Sequence, residues 1–352
     1  MKLMKKMIAA LTLTGLLAAS LGLSAFADDA ANVATLTEQQ VTKHLVMAES
    51  LDVPDAEFSF AVTAVTADAP AVTIGSISYS SADDKGTLST EGVYTVDKNA
   101  EITFGTFPHA GTYEYTVTET TGSAEGITYD STSYTMTVYV ANGSDGALAV
   151  QRIIVEADNG KQYELSFTNT YCKNGSLTIT KNTEGDLADK TKDFAFTITF
   201  IKSGTESDSV TSYTGKIGEE PIECTIGQET SFYLHDGESL VFDDLPVGTR
   251  YVVTEVAAAD GYTPSVSVIE NGEQTVTSNT TTEANALSTA NNGSSNLVGE
   301  NENSVTYTNT YGDVPVTGLV LKNLPFLLLI VLPVLALTLP IAAKSCMKKR
   351  KH

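Results

Sequence analysis

Phe167-Thr168-Asn169-Thr170-Tyr171 and Tyr307-Thr308-Asn309-Thr310-Tyr311 spell one short segment twice in the same chain. Side chains two apart share a face of a strand. Asn169 therefore lies with Leu165 and Phe167, and Asn309 with Val305 and Tyr307, which puts a polar amide on the apolar side both times. Further back, Tyr115-Thr116-Val117-Thr118-Glu119 matches Tyr251-Val252-Val253-Thr254-Glu255, and Val41-Thr42-Lys43 matches Ile179-Thr180-Lys181. From lysine to glutamate the separations are 76 and 74 residues, and from glutamate to asparagine 50 and 54. One domain is written in tandem.

The same parity applies to the other landmarks. Lys43 shares a face with Val41, Leu45 and Met47, and Lys181 with Leu177 and Ile179. Glu119 aligns with Tyr113, Tyr115 and Val117, and Glu255 with Tyr251 and Val253. Each repeat thus turns a lysine, a glutamate and an asparagine inward, where unpaired charge is very costly. A buried ion pair with a hydrogen-bonding asparagine, or strand ends that reach water, accounts for one such trio. Two trios with the same order, spacing and parity argue for chemistry.

The 352-residue chain has no tryptophan, and its middle is rich in Thr, Val, Ser and Tyr in short alternating runs broken by Gly, Asn and Asp. That composition reads as all-β. Its length exceeds one compact core and suits two tandem β-sandwich domains, residues 36–171 and 176–312, joined by Cys172-Lys173-Asn174-Gly175. With only three cysteines there is no disulfide framework; Cys172 and Cys224 either pair across the junction or are isolated thiols. Residues 271–303, rich in Thr, Asn, Ser and Gly, read as a flexible insertion.

The two ends carry targeting signals. Lys2, Lys5 and Lys6, an apolar run and Ala25-Phe26-Ala27 form a signal peptide, residues 1–27, cleaved after Ala27. Residues 324–343 lack formal charge and are long enough to span a bilayer, and the basic tail 344–352 stays on the cytoplasmic side. Before them stands Val314-Pro315-Val316-Thr317-Gly318. Pentapeptide, apolar span and basic tail in this order resemble the cell-wall sorting signal of Gram-positive surface proteins, usually Leu-Pro-x-Thr-Gly, with Val314 in place of the leucine. A sortase cysteine attacks the carbonyl of Thr317, expels Gly318 and leaves an acyl-enzyme for an amine to resolve. Setting aside three lysines in the signal and six basic residues after Thr317 leaves 12 Lys+Arg against 43 Asp+Glu, a net charge of −31. Such acidity excludes nucleic acid and anionic membrane surfaces as partners.

Burial lowers the pKa of a lysine amine and raises that of a glutamate. A neutral amine can attack the side-chain carbonyl of asparagine, with the glutamate hydrogen-bonded to that carbonyl and shuttling the proton, so that ammonia leaves and an amide joins the two side chains. Folding supplies the proximity.

With these motifs the chain resembles the sortase-assembled major pilins of Gram-positive bacteria, with tandem streptococcal-type isopeptide-linker domains related to CnaB, from about Leu36 to the sorting signal. The resemblance implies that Lys43 bonds to Asn169 with Glu119 promoting it, and Lys181 to Asn309 with Glu255. By a chain-entropy estimate, each link is worth on the order of 4–5 kcal/mol. It also implies that a lysine of one subunit takes up Thr317 of the next. Lys161, after the turn signal Asn159-Gly160, is the first choice, with Lys173 and Lys98 as alternatives. Implied partners are a sortase, further copies of the chain, minor pilins and peptidoglycan, with a host surface ligand in the alternative reading as a singly anchored adhesin. The implied place is the cell wall, reached through a precursor in the membrane. No cofactor is implied, and His44, His109, His235 and His352 show no metal-ligand spacing.

Overall fold

A computed structural model describes residues 39–312 except 259–260, 280–285 and 291–292. The signal peptide, the pentapeptide 314–318, the apolar segment and the basic tail lie outside the described residues. The first half holds β1 (Gln40–Ala48), β2 (Ala56–Phe58), β3 (Phe60–Ala64), β4 (Val72–Ile74), β5 (Ile77–Tyr79), β6 (Val93–Phe104), β7 (Gly111–Glu119), β8 (Ile127–Thr128), β9 (Ser133–Asn142), β10 (Leu148–Ala157), β11 (Gly160–Gln162) and β12 (Leu165–Tyr171). The second holds β13 (Asn174–Glu184), β14 (Phe194–Ile201), β15 (Ser212–Ile217), β16 (Glu220–Thr225), β17 (Thr230–Leu234), β18 (Ser239–Pro246), β19 (Arg250–Glu255), β20 (Tyr262–Glu270), β21 (Glu273–Asn279), β22 (Leu287–Ser288), β23 (Asn296–Leu297) and β24 (Ser304–Tyr311).

In the first half one sheet runs β4-β6-β1-β12-β8 and the other β11-β10-β9-β7-β3, with β2-β5 as a small added ribbon. In the second half the order is β16-β15-β18-β13-β24-β20-β21 against β17-β14-β19-β22, with β23 also on β19. Each half is closed by a parallel pair of its first and last strands, β1 with β12 and β13 with β24. Parallel neighbours need a long crossover, here the whole domain between them. Strict alternation holds these strands in register: Val41, Lys43, Leu45 and Met47 are buried on β1 while Thr42, His44 and Val46 are not. A one-residue slip would turn the entire set outward.

Three apolar clusters fill the space between sheets. Tyr115, Val117, Met136, Val155 and Phe167 lead one, Leu45, Met47, Phe58, Tyr79 and Tyr171 the next, and Ile179, Phe196, Phe200, Phe242, Tyr251 and Tyr307 that of the second half. Each large side chain fully buried there contributes about 1.5–3 kcal/mol.

The halves are less alike than the sequence repeat suggests. After Glu119 the chain makes only the two-residue β8 beside β12 and then returns as β9 beside β7. After Glu255 it goes straight to the nine-residue β20, which pairs with β24 along its length. The supposed insertion 271–303 is also ordered where described. Threonine and valine at alternate positions form β21 on β20, and β22 and β23 add to β19. Buried Asn303 fastens this segment, its Oδ1 accepting from the N–H groups of Asn271 at 3.0 Å and Gly299 at 2.8 Å. Cys172 and Cys224 are both free thiols: Cys224 is buried on β16, and Cys172 directs its Sγ toward the carbonyl of Thr205.

Only Cys172 and Lys173 separate β12 from β13. Across this junction Val247 joins the cluster of Leu45 and Met47, Arg250 pairs with Glu49, and Lys173 Nζ lies 2.9 Å from Glu300 Oε1. Gly248 has φ +92°, and a Cβ there would stand 2.7 Å from Ala48 Cβ and Ser203 Oγ, so close approach of the halves requires glycine.

Two buried lysine-glutamate-asparagine sites

Lys43 and Lys181 start from the same place in the parallel ladder. Lys43 is opposite Phe167, two residues before the residue paired with Asn169, and Lys181 is opposite Tyr307, two before the partner of Asn309. Each lysine therefore needs to span about 6.6 Å along the strands to its asparagine, within reach of its four-carbon stem. Glu119 and Glu255 end β7 and β19 in the facing sheets. All six side chains belong to residues at most 6% exposed.

In the first site Lys43 Nζ lies 3.1 Å from Glu119 Oε1, donates to the Phe167 carbonyl at 3.2 Å, and stands 4.9 Å from the Phe58 ring centre. Asn169 Nδ2 donates to Glu119 Oε1 at 3.1 Å. The backbone N–H of Asp130 donates to Asn169 Oδ1 at 2.8 Å and to Glu119 Oε2 at 3.1 Å. A backbone N–H can only donate, which fixes the amide with its oxygen toward Asp130 and its nitrogen toward the glutamate. Sequence reasoning put the glutamate on the asparagine carbonyl. The structure instead puts it on the amide nitrogen, because Asp130 already occupies the oxygen.

The second site repeats the trio with fewer partners. Asn309 Nδ2 donates to Glu255 Oε1 at 2.7 Å, and Lys181 Nζ lies 3.3 Å from the same oxygen in a charge contact not aligned as a hydrogen bond. The Phe194 ring centre is 4.4 Å from Nζ. Among the described residues Lys181 Nζ, Glu255 Oε2 and Asn309 Oδ1 have no hydrogen-bond partner. Burial pulls the Lys181 amine down to about 8 against the opposing pull of Glu255, and burial raises the Glu255 carboxyl. Burial likewise lowers Lys43, with Glu119 and Asp130 acting against it.

These directions favour a neutral amine in both sites, the form that can attack an amide, and a neutral acid in the second. A buried ion pair adds little net stability, because desolvation offsets the attraction. The asparagine nitrogen is hydrogen-bonded to the group that also meets the amine, so a single carboxyl is placed to move a proton between them.

Of the other anticipated residues, Lys161 sits on β11 with its side chain 47% exposed and Nζ 3.9 Å from Glu156 Oε1. Lys173 is held by Glu300, which raises its pKa, and Lys98 pairs with Asp83 at 2.6 Å and donates to the Ser78 carbonyl. Ala27 and residues 314–318 lie outside the described residues. Asp130 was missed: it lies in the turn after β8, where neither periodicity nor a repeat partner marks it.

A family model described as a Spy0128-like isopeptide containing domain matches residues 39–172, and one described as a domain of unknown function matches 175–311. A pilin of Streptococcus pyogenes serotype M1 is 32% identical over 248 residues, covering 65% of this chain and 70% of that protein. The pilus tip adhesin Cpa of Streptococcus pyogenes is 43% identical over 84 residues, 24% of this chain and 12% of that protein. Among solved structures, the major pilin from Streptococcus pyogenes aligns at 26% identity over 80% of this chain and 99% of that one, with a TM-score of 0.36.

Proposed function

The chain belongs to the streptococcal major pilin family, structural proteins and not enzymes, and on that premise we propose that it is polymerised by a sortase into a wall-anchored pilus and cross-links each of its domains once. The observation that carries this reading is the buried trio, built twice on the same ladder offset. The domains are the immunoglobulin-like, CnaB-related units 36–171 and 176–312. In each, the lysine amine (Lys43 or Lys181) attacks the side-chain carbonyl carbon of Asn169 or Asn309, the glutamate (Glu119 or Glu255) relays a proton from the amine to the amide nitrogen, and ammonia departs. Holding both reactants in one dry pocket supplies most of the rate.

Residues 1–27 direct export, with cleavage after Ala27. Residues 324–343 and the basic tail 344–352 hold the precursor in the membrane while a sortase reads Val314 to Gly318 and cleaves after Thr317. Exposed Lys161 of another copy resolves the acyl-enzyme during growth, and peptidoglycan or a minor pilin ends it. Intact mass of soluble protein spanning residues 28–313 tests the cross-links: a value two ammonia molecules below the sequence mass is expected, and the full sequence mass would refute them. The short match to the tip adhesin supports a second reading, a singly anchored adhesin that binds a host ligand. A lysine-linked ladder on immunoblots of wall extracts supports the polymer; a single band supports the adhesin.

A further inference from the structure

We propose that the backbone N–H of Asp130 is the oxyanion donor of the first cross-linking site and that the Asp130 carboxylate holds it in position. This rests on the reading that Lys43 and Asn169 condense. Attack by Lys43 Nζ on Asn169 Cγ pushes the carbonyl π pair onto Oδ1, and this negative charge forms beside an N–H already 2.8 Å away. Glu119 takes the Nζ proton and delivers it to Nδ2, the Cγ–Nδ2 bond breaks as the carbonyl re-forms, and one ammonia leaves for each amide made. The N–H is shared with Glu119 Oε2 at 3.1 Å, so its hold on that oxygen weakens as the carboxylate is protonated, and it turns fully to Oδ1 when charge arrives there.

The donor exists because β8 stops early. Pairing with β12 ends at Thr128 opposite Thr170, which releases the backbone at Asp130 from the ladder. The Asp130 carboxylate then ties it back: Oδ2 accepts from the N–H of Thr168 at 2.7 Å, next to Asn169, and Oδ1 from the N–H of Thr132 at 2.8 Å. With both oxygens engaged, its charge is committed to backbone donors.

The second half provides the contrast. Thr263 opposite Thr310 corresponds to Thr128 opposite Thr170, so Ser265 takes the place of Asp130. There β20 stays in the ladder, with Ser265 paired to Thr308, and Pro264 opposite Asn309 has no N–H to offer. Asn309 Oδ1 has no partner among the described residues. Among the described residues the donor is thus an addition to the first site alone.

The test is timed cell-free synthesis of the full chain in detergent, quenched with acid, with linked and unlinked peptides of each site counted by mass spectrometry. Replacing residue 130 by its α-hydroxy analogue turns the N–H into an ester oxygen and keeps the side chain. The Lys43–Asn169 link is then expected to form on the order of 10²-fold more slowly, as for loss of one oxyanion donor, while the Lys181–Asn309 link forms at its usual rate. Limited proteolysis of the same samples reports whether the first half has folded. Asp130→Asn keeps both the N–H and an acceptor for Thr168 and is expected to restore the rate, whereas Asp130→Ala, which loses the tie, is expected to stay slow. A normal rate in the ester chain would overturn the donor, and Asp130→Ala matching Asp130→Asn would overturn the clamp. If the unaltered chain never makes the first link, the cross-linking reading itself has failed.

Discussion

Replacing Glu255 with alanine removes the carboxyl that meets both Lys181 and Asn309, and it is expected to leave the second domain unlinked. The link would close the loop from Lys181 to Asn309, for which the chain-entropy relation gives about 5 kcal/mol. The variant also strands a buried amine and an amide N–H, adding about 1–3 kcal/mol. For a domain of this size the sum corresponds to a fall in Tm on the order of 20 °C. Intact mass and scanning calorimetry are read on the same sample. The expected result is a gain of one ammonia over the parent together with loss of the second domain's high transition. Glu255→Ala combined with Lys181→Met removes the stranded amine and should recover part of the deficit without recovering the link. A Glu255→Ala protein with the parent's mass, or with a Tm within a few degrees of it, would refute the reasoning.

Asn309→Ala cannot form the link and keeps Lys181 as a titrating amine. Unfolded, that lysine holds its proton to about its ordinary 10.5, whereas folded it releases it from about 8, so the unfolded state binds more protons across this window. Unfolding free energy from urea titrations should therefore rise by about 3 kcal/mol from pH 8 to 10.5, and a flat or falling trend would contradict the burial argument. Lys161→Arg keeps the charge but not the nucleophile, so wall extracts should lose the high-molecular-weight ladder while monomer still lacks two ammonia molecules. A normal ladder would exclude Lys161, and the branched Thr317 peptide would then identify the lysine used. Thr317→Ala should leave unprocessed precursor in the membrane fraction, and covalent release with wall digests would disprove the sorting assignment.

Much of this architecture was legible because period-two alternation is a strong signal. Val41, Lys43, Leu45 and Met47 could be read as one face before any partner strand was known, and so could Leu165, Phe167 and Asn169. Alternation says which face a residue takes but not which strand lies beside it. Hence the different paths after Glu119 and Glu255 were hidden, and one domain was read as the copy of the other. The composition of 271–303 suggested a loop, yet its Thr-Val-Thr run finds an open edge on β20 and pairs with it. Asp130 was beyond reach for another reason. Its contribution is a backbone N–H, which every residue but proline carries, and only the early end of β8 aims it at Asn169.

The short junction between β12 and β13 decides how the molecule carries axial force. With Lys161 as acceptor and Thr317 as donor, tension enters at β11, follows β12 through Cys172 and Lys173 into β13, crosses from Lys181 to Asn309 and leaves along β24. Everything before Lys161 hangs beside that line. On the proposed linkage the Lys43–Asn169 bond would bear no load in the assembled fibre, and the first domain would be a sleeve around a taut strand. Its loss would leave the fibre's length under tension unchanged, whereas loss of the Lys181–Asn309 link would let the whole of 182–308 pay out. Of the two proposed bonds, one would be the fibre's tendon and the other would only keep its sheath closed.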